Sequence, residues 1–318
     1  MYITTQREDS SSVNSATNSS LFQLRLKPAS LISHCRHWQQ ISADHRMQAT
    51  KIPLFAVYFL LAGCASTAID HAIINAWNGN DSIPLAHVID ETLTIERAYR
   101  VQTRIVQSAL RTQRPAGFKA GLTSHAAQAR FRTKAPVAGV LINESADTPH
   151  PLQLSKLRGL HLETEVALRV GIPIRARLKS TEDLRAHIDG IAAALELPNL
   201  DYEHPDQLEA VDIVASNVAA TYFLLGEFAP PQRRDANRVP TSLECEGERL
   251  SSGKGRDAMG DQWTAALWLV NTTIDQGWTI EPGQVLLTGA LGQAVRAQPG
   301  QCVADFGDWG RIEVEIVR

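Results

Sequence analysis

The chain has 318 residues, of which 44 % are hydrophobic, and 31 Lys and Arg against 34 Asp and Glu leave a net charge of −3. This apolar fraction suffices for a buried core and excludes wholesale disorder. Because the charge is nearly balanced, the chain lacks the excess of basic residues that is typical of nucleic-acid-binding proteins. Four cysteines are too few for a disulfide scaffold, and their spacing fits neither a zinc ribbon nor a redox pair.

The amino-terminal segment, residues 1–46, is rich in Ser, Thr, Asn and Gln and has no sustained helix or strand period. We interpret it as a disordered leader or an over-extended reading frame, with Met47 as the true start. Residues 47–63 have the layout of a secretory signal peptide: a basic Lys51, an apolar stretch of about eleven residues and a small-residue cleavage site. This stretch is shorter than the roughly twenty residues of a spanning helix.

The end of that segment, Leu61-Ala62-Gly63-Cys64, resembles the lipobox of bacterial lipoproteins, in which the cysteine is lipidated and begins the mature chain. The resemblance implies an exported protein, anchored through Cys64 on the periplasmic face of a membrane, with a tether over residues 64–82. Two alternatives stay open: a buried helix or strand of the core, or a cytoplasmic protein that does not use the signal. After processing, Cys245 and Cys302 are the only pair that an oxidising compartment could join.

The remaining residues, 83–318, are predicted to form one domain. In chain order, the apolar patterns predict a helix at 83–113, a strand at 118–122, a short polar helix at 124–132, a strand at 160–170 with one apolar face, a helix at 180–194, a strand at 213–225, a hairpin of 243–245 with 249–251, a helix at 263–276, and strands at 285–289 and 312–317. One long helix followed by many short strands with inserted helices predicts an α+β domain rather than a regular βαβ array.

Carboxylates are the first chemical signal. Glu163 and Glu165 are two apart on a predicted strand, so both aim at one side and can bind one hard cation, although a solvated strand face is the common alternative. Glu196 follows an apolar helix segment and is expected to be at least partly buried, where a carboxylate needs a partner or a metal. Three carboxylates without a His or Cys cluster suit Mg²⁺ or Mn²⁺ rather than zinc.

A lysine stands inside a predicted strand between two glycines, in Gly117-Phe118-Lys119-Ala120-Gly121. Glycines let backbone or ligand come close, so Lys119 is a candidate site residue. The alternative is a lysine on the solvent face of the strand.

Several motifs, in order and at sensible spacings, resemble those of the 2-keto-4-pentenoate hydratase and 4-oxalocrotonate decarboxylase family, within the fumarylacetoacetate hydrolase superfamily. They are AYRVQ at 98–102, GFKAGLT at 117–123, LETEVA at 162–167, ALE at 194–196, SSGKG at 251–255 and LTGALG at 287–292. The resemblance runs over residues 83–317 and leaves residues 1–75 unexplained.

The resemblance implies a mixed β-roll with an amino-terminal helical layer and a metal site at one end. It assigns Glu163, Glu165 and Glu196 as metal ligands and Lys119 as the active-site lysine. It also places five residues near the substrate: Asn217, Ser252, Gly253, Thr288 and Gly289. The implied protein is a homo-oligomeric, Mg²⁺- or Mn²⁺-dependent lyase that acts on a small unsaturated 2-keto acid.

One position departs from the family pattern, because Val137 stands where typical hydratases have an aspartate that handles a proton or water. Valine cannot do so, which weakens the hydratase assignment and fits the decarboxylase branch somewhat better. Two other functions stay open: a lipid-anchored metal- or ligand-binding protein that has lost turnover, and an acylpyruvate C–C hydrolase. The hydrolase branch uses a His/Glu pair, for which His125 in the polar helix is no convincing match.

Overall fold

The computed structural model describes the backbone of residues 54–318 and the side chains from Thr67 onwards. The leader 1–46, the first part of the predicted signal peptide and the Cys64 side chain lie outside the described residues. The helices are α1 Leu54–Gly79, α2 Ala86–Ile89, α3 Ile95–Leu110, α4 His125–Arg130, α5 Thr181–His187, α6 Ala210–Ala215 and α7 Gln262–Asp275.

From residue 54 to the carboxyl end, twelve strands form two sheets. The strands are β1 Gly117–Gly121, β2 Val137–Leu141, β3 Leu152–Gln153, β4 His161–Val170, β5 Ile188–Leu197, β6 Tyr222–Leu225, β7 Pro240–Cys245, β8 Glu248–Lys254, β9 Val285–Leu287, β10 Val295–Arg296, β11 Gly300–Asp305 and β12 Arg311–Val317.

The larger sheet has the order β2-β1-β9-β4-β5-β6, and β10 pairs with the start of β4. Its pairs are antiparallel except β1 with β9, which makes it a mixed sheet. The smaller sheet has the order β3-β12-β11-β7-β8. Together with the helices that precede the strands, these sheets confirm the predicted α+β fold, a mixed β-roll with an amino-terminal helical layer.

The helical layer is built from α1, α2 and α3. Thr94 caps α3 by accepting a hydrogen bond from the Arg97 N–H, and the apolar side of α3 is fully buried. Helix α1 packs against it: Ile69 and Ile73 are fully buried, and Asp70 pairs with Arg104 through two hydrogen bonds. Residues 64–79, expected as a tether, are therefore helical. None of the helices from residue 54 onwards is both long and apolar enough to cross a membrane.

The structure differs from the sequence-based elements in three places. The helix predicted at 83–113 is interrupted after α2, where Asp90 pairs with Arg97 and accepts a hydrogen bond from the Thr92 N–H. The helix predicted at 180–194 ends at His187, and β5 follows directly. The strand predicted at 213–225 consists of the end of α6, a 3₁₀ turn and β6. Within β5, residues 190–195 form a continuous apolar run, whose periodicity cannot separate a buried helix from a central strand.

Other predicted elements agree more closely with the structure. The predicted hairpin is β7 and β8, and the predicted helix at 263–276 is α7. Ser124 caps α4 by accepting a hydrogen bond from the Ala127 N–H. Strand β4 is buried on most of both faces rather than on one. Cys245 and Cys302 face each other across β7 and β11 and form a disulfide.

Candidate metal centre

The carboxylate cluster forms where β4 lies beside β5. Their antiparallel register places Glu163 directly opposite Glu196, and Glu165 lies two residues along the same face of β4. Carboxylate oxygens of the three glutamates all lie within 4.8 Å of one another. The structure therefore brings together the three carboxylates that the sequence selected, although it places Glu196 on a strand and not after a helix.

These carboxylates are short of hydrogen-bond donors. Glu165 and Glu196 are fully buried. One oxygen of Glu165, Oε2, accepts a hydrogen bond from the Gly289 N–H at 2.8 Å. In the part of the chain that the structure describes, Oε1 of Glu165 and Oε2 of Glu196 have no hydrogen-bond partner. Buried polar atoms without partners are costly, and a cation bound by these oxygens would offset that cost.

Burial and mutual repulsion make the cluster hard to ionise fully. Burial, then the charge of Glu196, raises the pKa of Glu163 to about 7, against the attraction of Lys119. The same causes, together with the charge of Glu163, raise the pKa of Glu165 well above its usual value. A bound cation would reverse this effect, because it stabilises the charged form of each carboxyl group.

Lys119 lies on β1 and faces the cluster. Its ammonium pairs with Glu196 and donates a hydrogen bond to the Val218 carbonyl at 3.2 Å. Burial alone lowers the pKa of Lys119, but attraction to the three glutamates outweighs burial and raises it. In the metal-free protein Lys119 is therefore a cation at neutral pH, and its ion pair orients Glu196.

The donor set fits a hard divalent cation. All three side chains offer carboxylate oxygens, the ligands that Mg²⁺ and Mn²⁺ prefer. Among the residues from 67 to 318, this is the one group of three or more His, Cys, Asp or Glu side chains that could share an ion. Two buried carboxylate oxygens that accept no hydrogen bond within the described residues could bind such a cation.

A left-handed turn holds the Lys119 ammonium in place. Asn217, Val218 and Ala219 all have positive φ angles, between 54° and 63°. The Asn217 side chain fastens this turn to β2: it accepts a hydrogen bond from the Val140 N–H and donates one to the Val140 carbonyl, each at 2.8 Å. Both the oxygen and the nitrogen of the Asn217 amide are thus hydrogen-bonded. Asn217 therefore fixes the turn whose Val218 carbonyl accepts a hydrogen bond from Lys119.

Thr288 and Gly289 lie against the cluster from β9. Thr288 is fully buried, and its hydroxyl is 3.1 Å from the Val166 carbonyl and 2.5 Å from Oε1 of Gln262. Gly289 has a φ of 111°, and a Cβ there would lie 2.5 Å from Cγ2 of Thr123. Only glycine fits this position, and the resulting backbone directs its N–H at Glu165.

Ser252 and Gly253 lie on β8, in the smaller sheet. A Cβ on Gly253 would lie 2.5 Å from the backbone of Leu291, so the glycine lets two chain segments pack closely. The Ser252 side chain is exposed, whereas the Ser251 hydroxyl accepts a hydrogen bond from the Gln293 N–H at 2.8 Å.

Val137 is buried on the same face as Lys119. The register of β1 and β2 pairs Val137 with Gly121 and Lys119 with Gly139. Side chains of Val137 and Val218 pack over Gly121, which lies two residues from Lys119 on the same face of β1. The surface on that side of the lysine is therefore apolar. The position offers no proton-carrying group.

Sequence reasoning missed the residues that act through their backbone or through a partner. The Val218 carbonyl has no sequence signature, because any residue carries one. Gln262 stands at the start of a predicted helix. Its hydrogen bond with Thr288 joins two distant segments, so the sequence pattern around Gln262 does not indicate it.

Comparison with known proteins adds an independent observation. Residues 110–317 match the model of the fumarylacetoacetate (FAA) hydrolase C-terminal family. A 2-keto-4-pentenoate hydratase of Paraburkholderia xenovorans is 26% identical over 226 residues, which cover 70% of this chain and 83% of that protein. A 4-oxalocrotonate decarboxylase of Pseudomonas putida is 26% identical over 211 residues, covering 65% and 80%. The structure of 4-oxalocrotonate decarboxylase from Pseudomonas putida G7, complexed with magnesium and adipate, superposes with a TM-score of 0.72 at 25% identity and covers 79% of this chain and 97% of that one.

Proposed function

Because this chain belongs to the fumarylacetoacetate hydrolase family, we propose that it is a divalent-metal-dependent lyase acting on a small unsaturated 2-keto acid. The observation that carries the proposal is the buried cluster of three glutamates beside one lysine. The relatives named above as hydratases and decarboxylases support the same reaction class.

Glu163, Glu165 and Glu196 would hold the cation, Mg²⁺ or Mn²⁺. When bound, such an ion polarises the oxygens of a 2-keto acid and stabilises negative charge that develops on them. Lys119 neutralises part of the cluster's charge and keeps Glu196 oriented. The Lys119 ammonium, placed beside Glu196, is positioned to donate a hydrogen bond or a proton to substrate.

Between the two reactions, Val137 favours decarboxylation. A hydratase must position and deprotonate water, and the side of Lys119 lined by Val137 and Val218 is apolar and carries no group for that purpose. Loss of CO₂ requires that the remaining electron pair be stabilised and then protonated, which a cation held by the three glutamates, together with Lys119, would provide. Hydration is the second candidate.

The test is product analysis with two substrates, 4-oxalocrotonate and 2-hydroxypentadienoate, with Mg²⁺ or Mn²⁺ present. We expect CO₂ release from the first and slow or no hydration of the second. Hydration without decarboxylation would assign the protein to the hydratase branch. Failure to convert either compound, or an acylpyruvate, by folded metal-loaded protein would instead support a binding protein that has lost turnover.

The acylpyruvate hydrolase alternative has less support. His125, the nearest match to a His/Glu pair, is an exposed residue at the start of α4. Cleavage of an acylpyruvate in the same panel of substrates would revive this alternative.

For location, we propose export and lipid anchoring at Cys64. Two features support it: the signal-like segment 47–63, and a disulfide between Cys245 and Cys302, a bond that persists in oxidising compartments. Mass spectrometry of the native amino terminus tests the proposal. A lipidated Cys64 is expected, and an unmodified terminus upstream of it would contradict processing.

We also propose a homo-oligomer, since Val88 and Ile89 of α2 leave 61% and 37% of their surfaces exposed. Light scattering after size exclusion should give a mass above that of one chain. A monomer would contradict the proposal.

A further inference from the structure

Gln262 begins helix α7 and is fully buried. Both ends of its side-chain amide are hydrogen-bonded: Nε2 donates to the Gly255 carbonyl at 2.6 Å, and Oε1 lies 2.5 Å from the Thr288 hydroxyl. A carbonyl oxygen only accepts, so the contact with Gly255 determines that Oε1 is the atom that faces Thr288. Because Oε1 also only accepts, the Thr288 hydroxyl donates its proton to Gln262, the nearer of its two acceptors.

The two segments that hold Gln262 are themselves fixed. Asn237 accepts a hydrogen bond from the Gln262 N–H at 2.8 Å and donates one to Asp261, the residue that caps α7. Gly255 packs so closely on the chain that a Cβ there would clash with the Ala236 carbonyl. The side chain of Gln262 therefore extends from a well-anchored helix start and contacts a tightly packed glycine.

Thr288 connects Gln262 to the glutamate cluster through the next peptide. The N–H of Gly289 belongs to the planar peptide unit that follows Thr288, so the conformation of Thr288 sets the direction of that N–H. It donates to Oε2 of Glu165 at 2.8 Å, and Oε1 of Glu165 has no partner among the described residues. The backbone N–H of Thr288 is 3.3 Å from the Val166 carbonyl, so the contact with Gln262 is the shortest hydrogen bond that Thr288 makes.

We propose that Gln262 is a positioning residue of the metal centre, which acts on Glu165 through Thr288. By holding Thr288 in place, it directs the following N–H at Oε2 of Glu165 and leaves Oε1 free for the cation. The inference rests on the proposed function, because it assumes that the three glutamates bind a divalent cation. Removal of a group that orients a metal ligand commonly weakens metal affinity by about 10- to 100-fold.

The test is calorimetric titration of the full chain with Mg²⁺, paired with thermal unfolding of the metal-free protein. Gln262→Met keeps the length of the side chain and removes both hydrogen bonds, so it should weaken Mg²⁺ affinity by about tenfold or more. Thr288→Val should do the same, whereas Thr288→Ser keeps the hydroxyl and should stay within about twofold of the unchanged protein. Because the two residues act on Glu165 in series, the double variant Gln262→Met with Thr288→Val should lose no more affinity than the more affected single variant.

Asn271→Leu is the matched control on the same helix. The Asn271 side chain accepts a hydrogen bond from the Leu178 N–H and donates one to the Leu178 carbonyl, so its replacement also leaves two polar groups without their partner. We expect both Gln262→Met and Asn271→Leu to lower the melting temperature, and only Gln262→Met to weaken Mg²⁺ binding. An equal loss of affinity in the control would show that the role of Gln262 is merely structural, and would overturn the inference.

Mg²⁺ affinity that is unchanged in Gln262→Met would also overturn the inference, as would losses that multiply in the double variant. Should Gln262→Met fail to fold, Thr288→Val decides. Affinity equal to that of the unchanged protein counts against the inference, and a tenfold loss that Thr288→Ser does not share supports it. Failure of the unchanged protein to bind either Mg²⁺ or Mn²⁺ would instead contradict the proposed function, and the inference with it.

Discussion

Replacing Glu163 by glutamine should stabilise the metal-free protein while it weakens metal binding. Burial and the charge of Glu196 raise the pKa of Glu163 from 4.5 to about 7. Between these two values the folded protein holds a proton that the unfolded chain releases, so the stability of the metal-free protein falls as pH rises through this window. Above pH 7 the ionised Glu163 therefore destabilises the fold, and a neutral glutamine does not.

The size of this effect follows from the same pKa. A rise from 4.5 to about 7 corresponds to about 3 kcal/mol. Since Glu163 keeps part of its surface in water, we expect a gain of between about 1 and 3 kcal/mol at pH 8. Below about pH 4, where the unfolded chain also holds the proton, the gain should vanish.

The assay is urea unfolding of EDTA-treated protein at several pH values, paired with calorimetric titration of Mg²⁺. Glu315→Gln, on the exposed side of β12, is the control and should alter neither measurement. The reasoning is refuted if Glu163→Gln lowers stability at pH 8, or if Mg²⁺ affinity matches that of the unchanged protein.

Three further predictions concern residues around the cluster. Lys119→Gln should lower kcat by about 10²-fold or more, because it removes the ammonium that faces the substrate site; a steady-state assay at saturating Mg²⁺ measures this. Gly289→Ala should lower the free energy of unfolding, measured by thermal unfolding, by about 1–3 kcal/mol. The reason is that the φ of 111° at Gly289 and the nearby Thr123 side chain exclude a Cβ. Cys245→Ser should lower the free energy of unfolding by about 2–4 kcal/mol under oxidising conditions and leave it unchanged under reducing conditions. An equal loss under both conditions would show that packing alone, and not the disulfide, is responsible.

Glu163, Glu165 and Lys119 were candidates from local pattern, and the family resemblance assigned their roles. Two glutamates at a spacing of two on a strand must share a face, and a lysine between glycines is readily approached. Glu196 was selected for its apolar surroundings, although the segment was predicted as a helix. Both conformations bury that segment, which explains why the wrong element led to the right carboxylate.

The remaining features depend on contacts between distant segments. The Val218 carbonyl reaches Lys119 across 99 positions of sequence, and Asn217 fastens to β2 across 77. No pattern in the sequence around these residues specifies such pairings, so their roles required the structure.

The central claim is that the three glutamates hold the cation on which turnover depends. The most direct measurement is the conversion of 4-oxalocrotonate at increasing Mg²⁺, for the unchanged protein and for Glu196→Gln. The account predicts turnover that saturates with Mg²⁺ in the unchanged protein and is lost in the variant, although circular dichroism shows both folded. Turnover that is independent of Mg²⁺, or that survives undiminished in Glu196→Gln, would contradict it.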